Sequence, residues 1–158
     1  MDPISISIFI VLIVLSMFFS ASETAFSSIA QHKVDTLLKQ KKAGAKALKL
    51  VKAEPDKLLM SILIGNNIVN IVAATLATTI SIGIAKLIGY HEATIIGIST
   101  VVVTVLILIF GEIAPKTFAI RHAEKISLSI APFYVGFIKL LTPIIWILMR
   151  LTKKLNKG

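Results

Sequence analysis

Three stretches of this chain carry no charged side chain for long enough to cross a bilayer: Pro3 to Ser22, Leu58 to Ala85 and Ala93 to Gly111, of 20, 28 and 19 residues. A hydrocarbon core of ~30 Å is crossed by about 20 apolar helical residues. Lipid offers the backbone no hydrogen-bond partner, so each run has to be helical. Composition agrees: 56% of 158 residues are hydrophobic, 16% are charged and mean hydropathy is +0.89, too few charges to coat a soluble domain. The expected fold is an all-α membrane protein, a single transmembrane domain with spans at about 4–28, 58–88 and 93–113.

The segments between the runs set the topology. No small-residue cleavage site follows a short apolar core, so the first run is a retained span beginning with Met1 and Asp2 outside. Residues 30–57 are rich in lysine (Lys33, Lys39, Lys41, Lys42, Lys46, Lys49, Lys52, Lys57), with Val34, Leu37, Leu38, Leu48 and Val51 on an apolar face. This is a basic amphipathic connector on the cytoplasmic side, a solvated charge run that holds the topology. Gly89-Tyr90-His91-Glu92 makes a short external turn, and Lys116, Arg121 and Lys125 return the chain to cytoplasmic character. A fourth apolar stretch, residues 126–149, contains Pro132, Lys139 and Pro143 and is followed by Arg150, Lys153, Lys154 and Lys157. A span there would carry these cations outside, so residues 117–151 are expected to form a proline-broken juxtamembrane helical segment, with the C-terminus in the cytoplasm.

The polar residues inside the runs carry the functional signal. Asn66 and Asn70 lie about 40° apart on one helical face, one turn apart. Ser16, Ser20, Glu23 and Ser27 form a stripe on the first helix, and Glu112 ends the third run beside Gly111. Helix rise places Ser20, Glu23, Asn66 and Glu112 within reach of one layer in the cytoplasmic half. An ionised carboxylate there costs several kcal/mol unless compensated. A cation would compensate it, and hydroxyl, carboxamide and carboxylate oxygens with a free carbonyl at Gly111 suit a hard ion such as Mg²⁺. The competing reading is packing: the asparagines join helices, the serines pack, and Glu112 pairs with Lys116.

Two features of the long second run point to structure. At about 1.5 Å per residue its 28 residues span roughly 42 Å, so it must tilt, begin in the interface or break, and Gly65 is the natural break. Its later half, Ala73 to Gly83, is rich in small residues and is expected to pack closely on another helix, while Pro115 stops or bends the third helix.

Some classes are excluded. There is no cysteine, which removes disulfides and thiolate metal sites. The net charge of +9 lacks the basic-aromatic interleaving of a nucleic-acid surface, so no nucleic-acid partner is expected. An enzyme is not expected either, since His32, His91 and His122 fall in connectors and no nucleophile motif occurs.

Phe19-Ser20-Ala21-Ser22-Glu23-Thr24-Ala25-Phe26, Leu63-Ile64-Gly65-Asn66-Asn67-Ile68-Val69-Asn70 and Phe110-Gly111-Glu112-Ile113-Ala114-Pro115-Lys116 resemble, in order and spacing, the three motifs of the cyclin M/CorB/CorC transmembrane domain. The resemblance implies a homodimeric magnesium transporter of the cell membrane that exports Mg²⁺ in exchange for Na⁺. It places the ion ligands on Ser20, Asn66, Asn70 and Glu112, with a main-chain contribution near Gly111. Members of that family normally continue into paired nucleotide-binding domains of the cystathionine-β-synthase type, which are missing from these 158 residues. A membrane scaffold or Mg²⁺-sensing module with a structural ion is the alternative function.

Overall fold

The structure, a computed structural model, describes residues 3–89 and 91–155, with side chains through 151. Met1, Asp2, Tyr90 and Lys157, to which the sequence assigns an external start, an external turn and a basic tail, lie outside the described residues. Among the described residues every regular element is helical: α1 (Pro3–Ser28), α2 (Gln31–Lys39), α3 (Ala45–Lys52), α4 (Pro55–Ile88), α5 (Glu92–Leu106), a π-helical turn (Ile107–Ile113), α6 (Ala114–Arg121) and α7 (Ala123–Leu155). Pro3 and Pro55 open their helices, where a missing N–H costs nothing.

Two compact units divide the chain. The first comprises residues 1–21 and 65–118. In it α4 buries Val69, Ala73, Ala77, Ser81 and Ala85 at successive i+4 positions. One face of the small-residue half of α4 is therefore buried within this chain, while Thr75, Thr79 and Gly83 are exposed. Gly65 lies against Phe19, whose ring a Cβ there would meet at 2.4 Å. The break expected at Gly65 does not occur: α4 is one helix of 34 residues, and the glycine is needed for the close approach of that ring. Ile4, Val11, Ile71, Val101 and Val105 are exposed, as side chains facing lipid are.

The second unit comprises residues 22–64 and 119–158. Here the basic connector is two helices, α2 and α3, separated by a turn in which Lys41 and Gly44 take positive φ. Of the expected apolar face Val34, Leu37, Leu48 and Val51 are buried and Leu38 is half-buried, Ala45 joins them, and α3 packs on α7. From α7, Ser127, Ala131, Tyr134, Leu141 and Ile145 form one buried stripe, with Phe26 edge-on to Tyr134 at 5.2 Å. Lys52 Nζ donates to the carbonyls of Phe26 (2.9 Å) and Ile29 (2.6 Å), and so caps the end of α1. Desolvation holds this ammonium below the usual lysine range.

The expectation of a proline-broken segment is corrected, since α7 runs unbroken through Pro132 and Pro143. A proline inside a helix removes one N–H and crowds the carbonyl four residues earlier. For Pro132 that carbonyl belongs to Leu128, and Gly44 sits directly upon it: a Cβ there would lie 2.0 Å from the oxygen. The long buried stripe holds the remaining turns in line. With α7 continuous, the candidate spans number one more than the three expected. Four helices, at 3–28, 55–88, 92–121 and 123–151, are long and apolar enough to cross a membrane.

Candidate functional site

The site lies in the first unit and is built on Ser16. This residue is buried on α1, and its Oγ lies 2.8 Å from Asn70 Oδ1 and 3.5 Å from Asn66 Oδ1. A hydroxyl has one proton, so it donates to Asn70, and the Asn66 oxygen beside it is left without that donor. Two carboxamide oxygens thus converge on one hydroxyl oxygen. Asn66 and Asn70 are half-buried while Asn67 is exposed, so the i, i+4 pair is the one that turns inward.

The third side of the site is the π-helical turn. A Cβ on Gly111 would lie 2.8 Å from Ser16 Oγ, so only glycine lets this backbone come so close. The turn has a local cause. The N–H of Ala114 reaches back five residues to the Ile109 carbonyl. Next comes Pro115, which has no N–H to offer the Phe110 carbonyl in the π register or the Gly111 carbonyl in the α register. Pro115 therefore does not stop the third helix: the extra residue of the wider turn accommodates the ring and the chain continues into α6. Glu112 follows within the same turn and is half-buried.

Hydroxyls elsewhere in the spanning helices behave differently. Thr75, Thr78, Ser81, Thr100 and Thr104 each donate to the carbonyl four residues earlier on their own helix, the usual self-satisfaction of a hydroxyl in lipid. Ser16 bonds across to another helix. Ser20, one turn further on the same face, is fully buried, and its Oγ has no partner among the described residues. A buried hydroxyl left so costs about 1–3 kcal/mol, which a ligand would recover.

The residues present fit a hard cation as cargo: hydroxyl and carboxamide oxygens, a carboxylate, and carbonyls deprived of a donor. Among the described residues no three His, Cys, Asp or Glu converge, so such an ion would rest mainly on neutral oxygens. Of the residues expected from sequence, Asn66, Asn70 and Gly111 are brought together around Ser16, Ser20 is buried one turn beyond Ser16 on α1, and Glu112 follows Gly111 in the chain. Ser27 of the expected stripe is exposed, and Glu23 belongs to the second unit. The residue missed as a site member is Ser16. Its signal was its place on the stripe, one turn before Ser20.

A helical, multi-pass membrane protein with an oxygen-lined cluster inside its apolar helices is the class that fold and site define. Residues 7–158 match the cyclin M transmembrane N-terminal domain, and the chain belongs to that family. It is similar to a UPF0053 protein of Haemophilus influenzae, 39% identical over 98% of this chain and 36% of the relative. It is also similar to the UPF0053 inner membrane protein YfjD of Escherichia coli, 34% identical over 90% of this chain and 32% of the relative. A chloroplastic DUF21 domain-containing protein of Arabidopsis thaliana is 32% identical over 74% of this chain and 17% of its own length. The chain thus spans about a third of the length of its bacterial relatives.

Proposed function

We propose that this chain is the ion-conducting membrane module of a magnesium transporter. It would export Mg²⁺ in exchange for Na⁺, through a largely dehydrated ion held by Ser20, Asn66, Asn70, Glu112 and the main chain near Gly111, with Ser16 as organiser. The observation that carries this reading is the convergence of the Asn66 and Asn70 oxygens on Ser16, which has one proton for the two of them. An oxygen-rich point of this kind in an apolar surround favours a positive charge. A homodimer is part of the proposal, and the exposed small residues Thr75, Thr79 and Gly83 at i, i+4 and i+8 on α4 offer a face for close approach. Nucleotide-regulated domains would belong to the two thirds of the relatives that this chain does not cover.

The proposed topology is N-terminus outside, three spans, and α7 along the cytoplasmic interface. Its support is the one-sided burial of α7 and the basic residues at both its ends. Cysteines at positions 39 and 150 should then label from one side of the membrane, and labelling from opposite sides would establish a fourth span. Function is tested in proteoliposomes. Mg²⁺ efflux should rise with an inward Na⁺ gradient, whereas Mg²⁺ binding without flux would favour a scaffold or sensing module with a structural ion.

A further inference from the structure

A groove of about 230 Å³ in the second unit is lined by Leu50, Val51 and Glu54 beside the end of α3 and by Val135, Ile138 and Lys139 of α7. Four of these six side chains are aliphatic, so water gains little there. Its volume is below that of a drug-sized pocket and suits a stretch of hydrocarbon chain. Glu54 is engaged by Lys57. Lys139 has neither hydrogen bond nor ion pair among the described residues, although it sits between Ile138 and Leu140 in a run apolar enough for a bilayer. The groove therefore offers an apolar floor and one unmatched cation.

The surroundings indicate what fills it. Leu50 and Leu140 are 63% and 72% exposed, apolar surface continuous along the chain with the groove walls. On α7, Trp146 and Arg150 follow Lys139 at i+7 and i+11, and so share its face. Trp146 is exposed, with the Arg150 guanidinium stacked 3.7 Å from its ring centre. Tryptophan with basic residues on one face is the pattern of a helix side at headgroup level, where long cations reach phosphates. We propose that the groove between α3 and α7 binds an anionic glycerophospholipid, its phosphate on Lys139 and one acyl chain along Leu50, Val51, Val135 and Ile138.

The test is native mass spectrometry of the whole, delipidated chain in detergent, titrated with phosphatidylglycerol or phosphatidylcholine of matched chains. The first phosphatidylglycerol should be preferred by about fivefold, the effect of one basic residue at a lipid surface. Lys139→Gln should abolish that preference and Lys139→Arg should keep it. Lys39→Gln, on an exposed lysine of α2, should leave it unchanged. Equal binding of the two lipids by the parent, parental preference in Lys139→Gln, or an equal loss in Lys39→Gln would each overturn the proposal. Lys139 is exposed, so these variants are expected to fold, and an unchanged thermal midpoint verifies it.

Discussion

Replacing Gly111 by alanine should uncouple Ser16 from Asn70. The new Cβ would lie 2.8 Å from Ser16 Oγ, where ordinary contact begins at 3.4 Å, so the hydroxyl must retreat by about 0.6 Å. Its bond to Asn70 Oδ1 is 2.8 Å, and O–H···O bonds are effective from about 2.5 to 3.0 Å. A retreat away from Asn70 breaks the bond, and one toward Asn70 has no room. Without that bond the Asn70 oxygen is no longer held in place, and loss of such an orienting partner costs an ion site about 10- to 100-fold in affinity. Alanine is favoured over glycine in a helix by about 1 kcal/mol, so a net loss reports the clash and not the backbone. Mg²⁺ binding would be measured calorimetrically for Gly111→Ala, Ser16→Ala and the double variant. Removing Oγ removes the clash, so the double variant should bind no worse than Ser16→Ala alone. Additive losses, or parental binding in Gly111→Ala, would refute the contact as the cause.

Gly44→Ala combines a left-handed backbone with a clash against the Leu128 carbonyl, so it should lose more than the ~1–2 kcal/mol of the backbone alone. At roughly 2–4 °C per kcal/mol for a chain of this size, its thermal midpoint should fall by several degrees. Asn66→Ala should weaken Mg²⁺ binding by about tenfold or more, whereas Asn67→Ala, at an exposed position, should change it by no more than about twofold, both read by titration. Lys52→Met keeps the aliphatic stem but cannot cap the Phe26 and Ile29 carbonyls. Amide exchange at the end of α1 should accelerate while that of residues 66–70 stays parental.

The apolar runs were legible because charge in hydrocarbon is so costly that its absence over about 20 residues has few other meanings. For the same reason Asn66 and Asn70 stood out as the face that turns inward. What could not be read was contact between helices. Periodicity puts Ser16 and Ser20 on one face but does not say that Ser16 meets Asn70. Gly65 looked like a break because glycine weakens a helix, yet its role depends on Phe19, 46 residues away in sequence. Pro132 looked like another break, yet α7 passes through it, and the Leu128 carbonyl that it leaves without a donor is covered by Gly44, 84 residues away in sequence. The π-helical turn is nearer to legible. Pro115 stands four residues after Gly111, and the crowded carbonyl can be relieved either by ending the helix or by widening one turn. Local sequence does not choose between those outcomes. The contact of Gly111 with Ser16 favours the second.

The central claim is that Ser20, Asn66, Asn70 and Glu112 hold one Mg²⁺ together. Equilibrium Mg²⁺ binding to Glu112→Gln, beside Asn70→Ala, tests it most directly, because glutamine preserves size and hydrogen bonding while removing the carboxylate charge. Both variants should retain the parental fold and assembly and lose Mg²⁺ affinity by at least about tenfold, with Glu112→Gln the more severe. Parental binding in both, in folded protein, would mean that the cluster is a packing device and that the ion, if one binds, rests elsewhere.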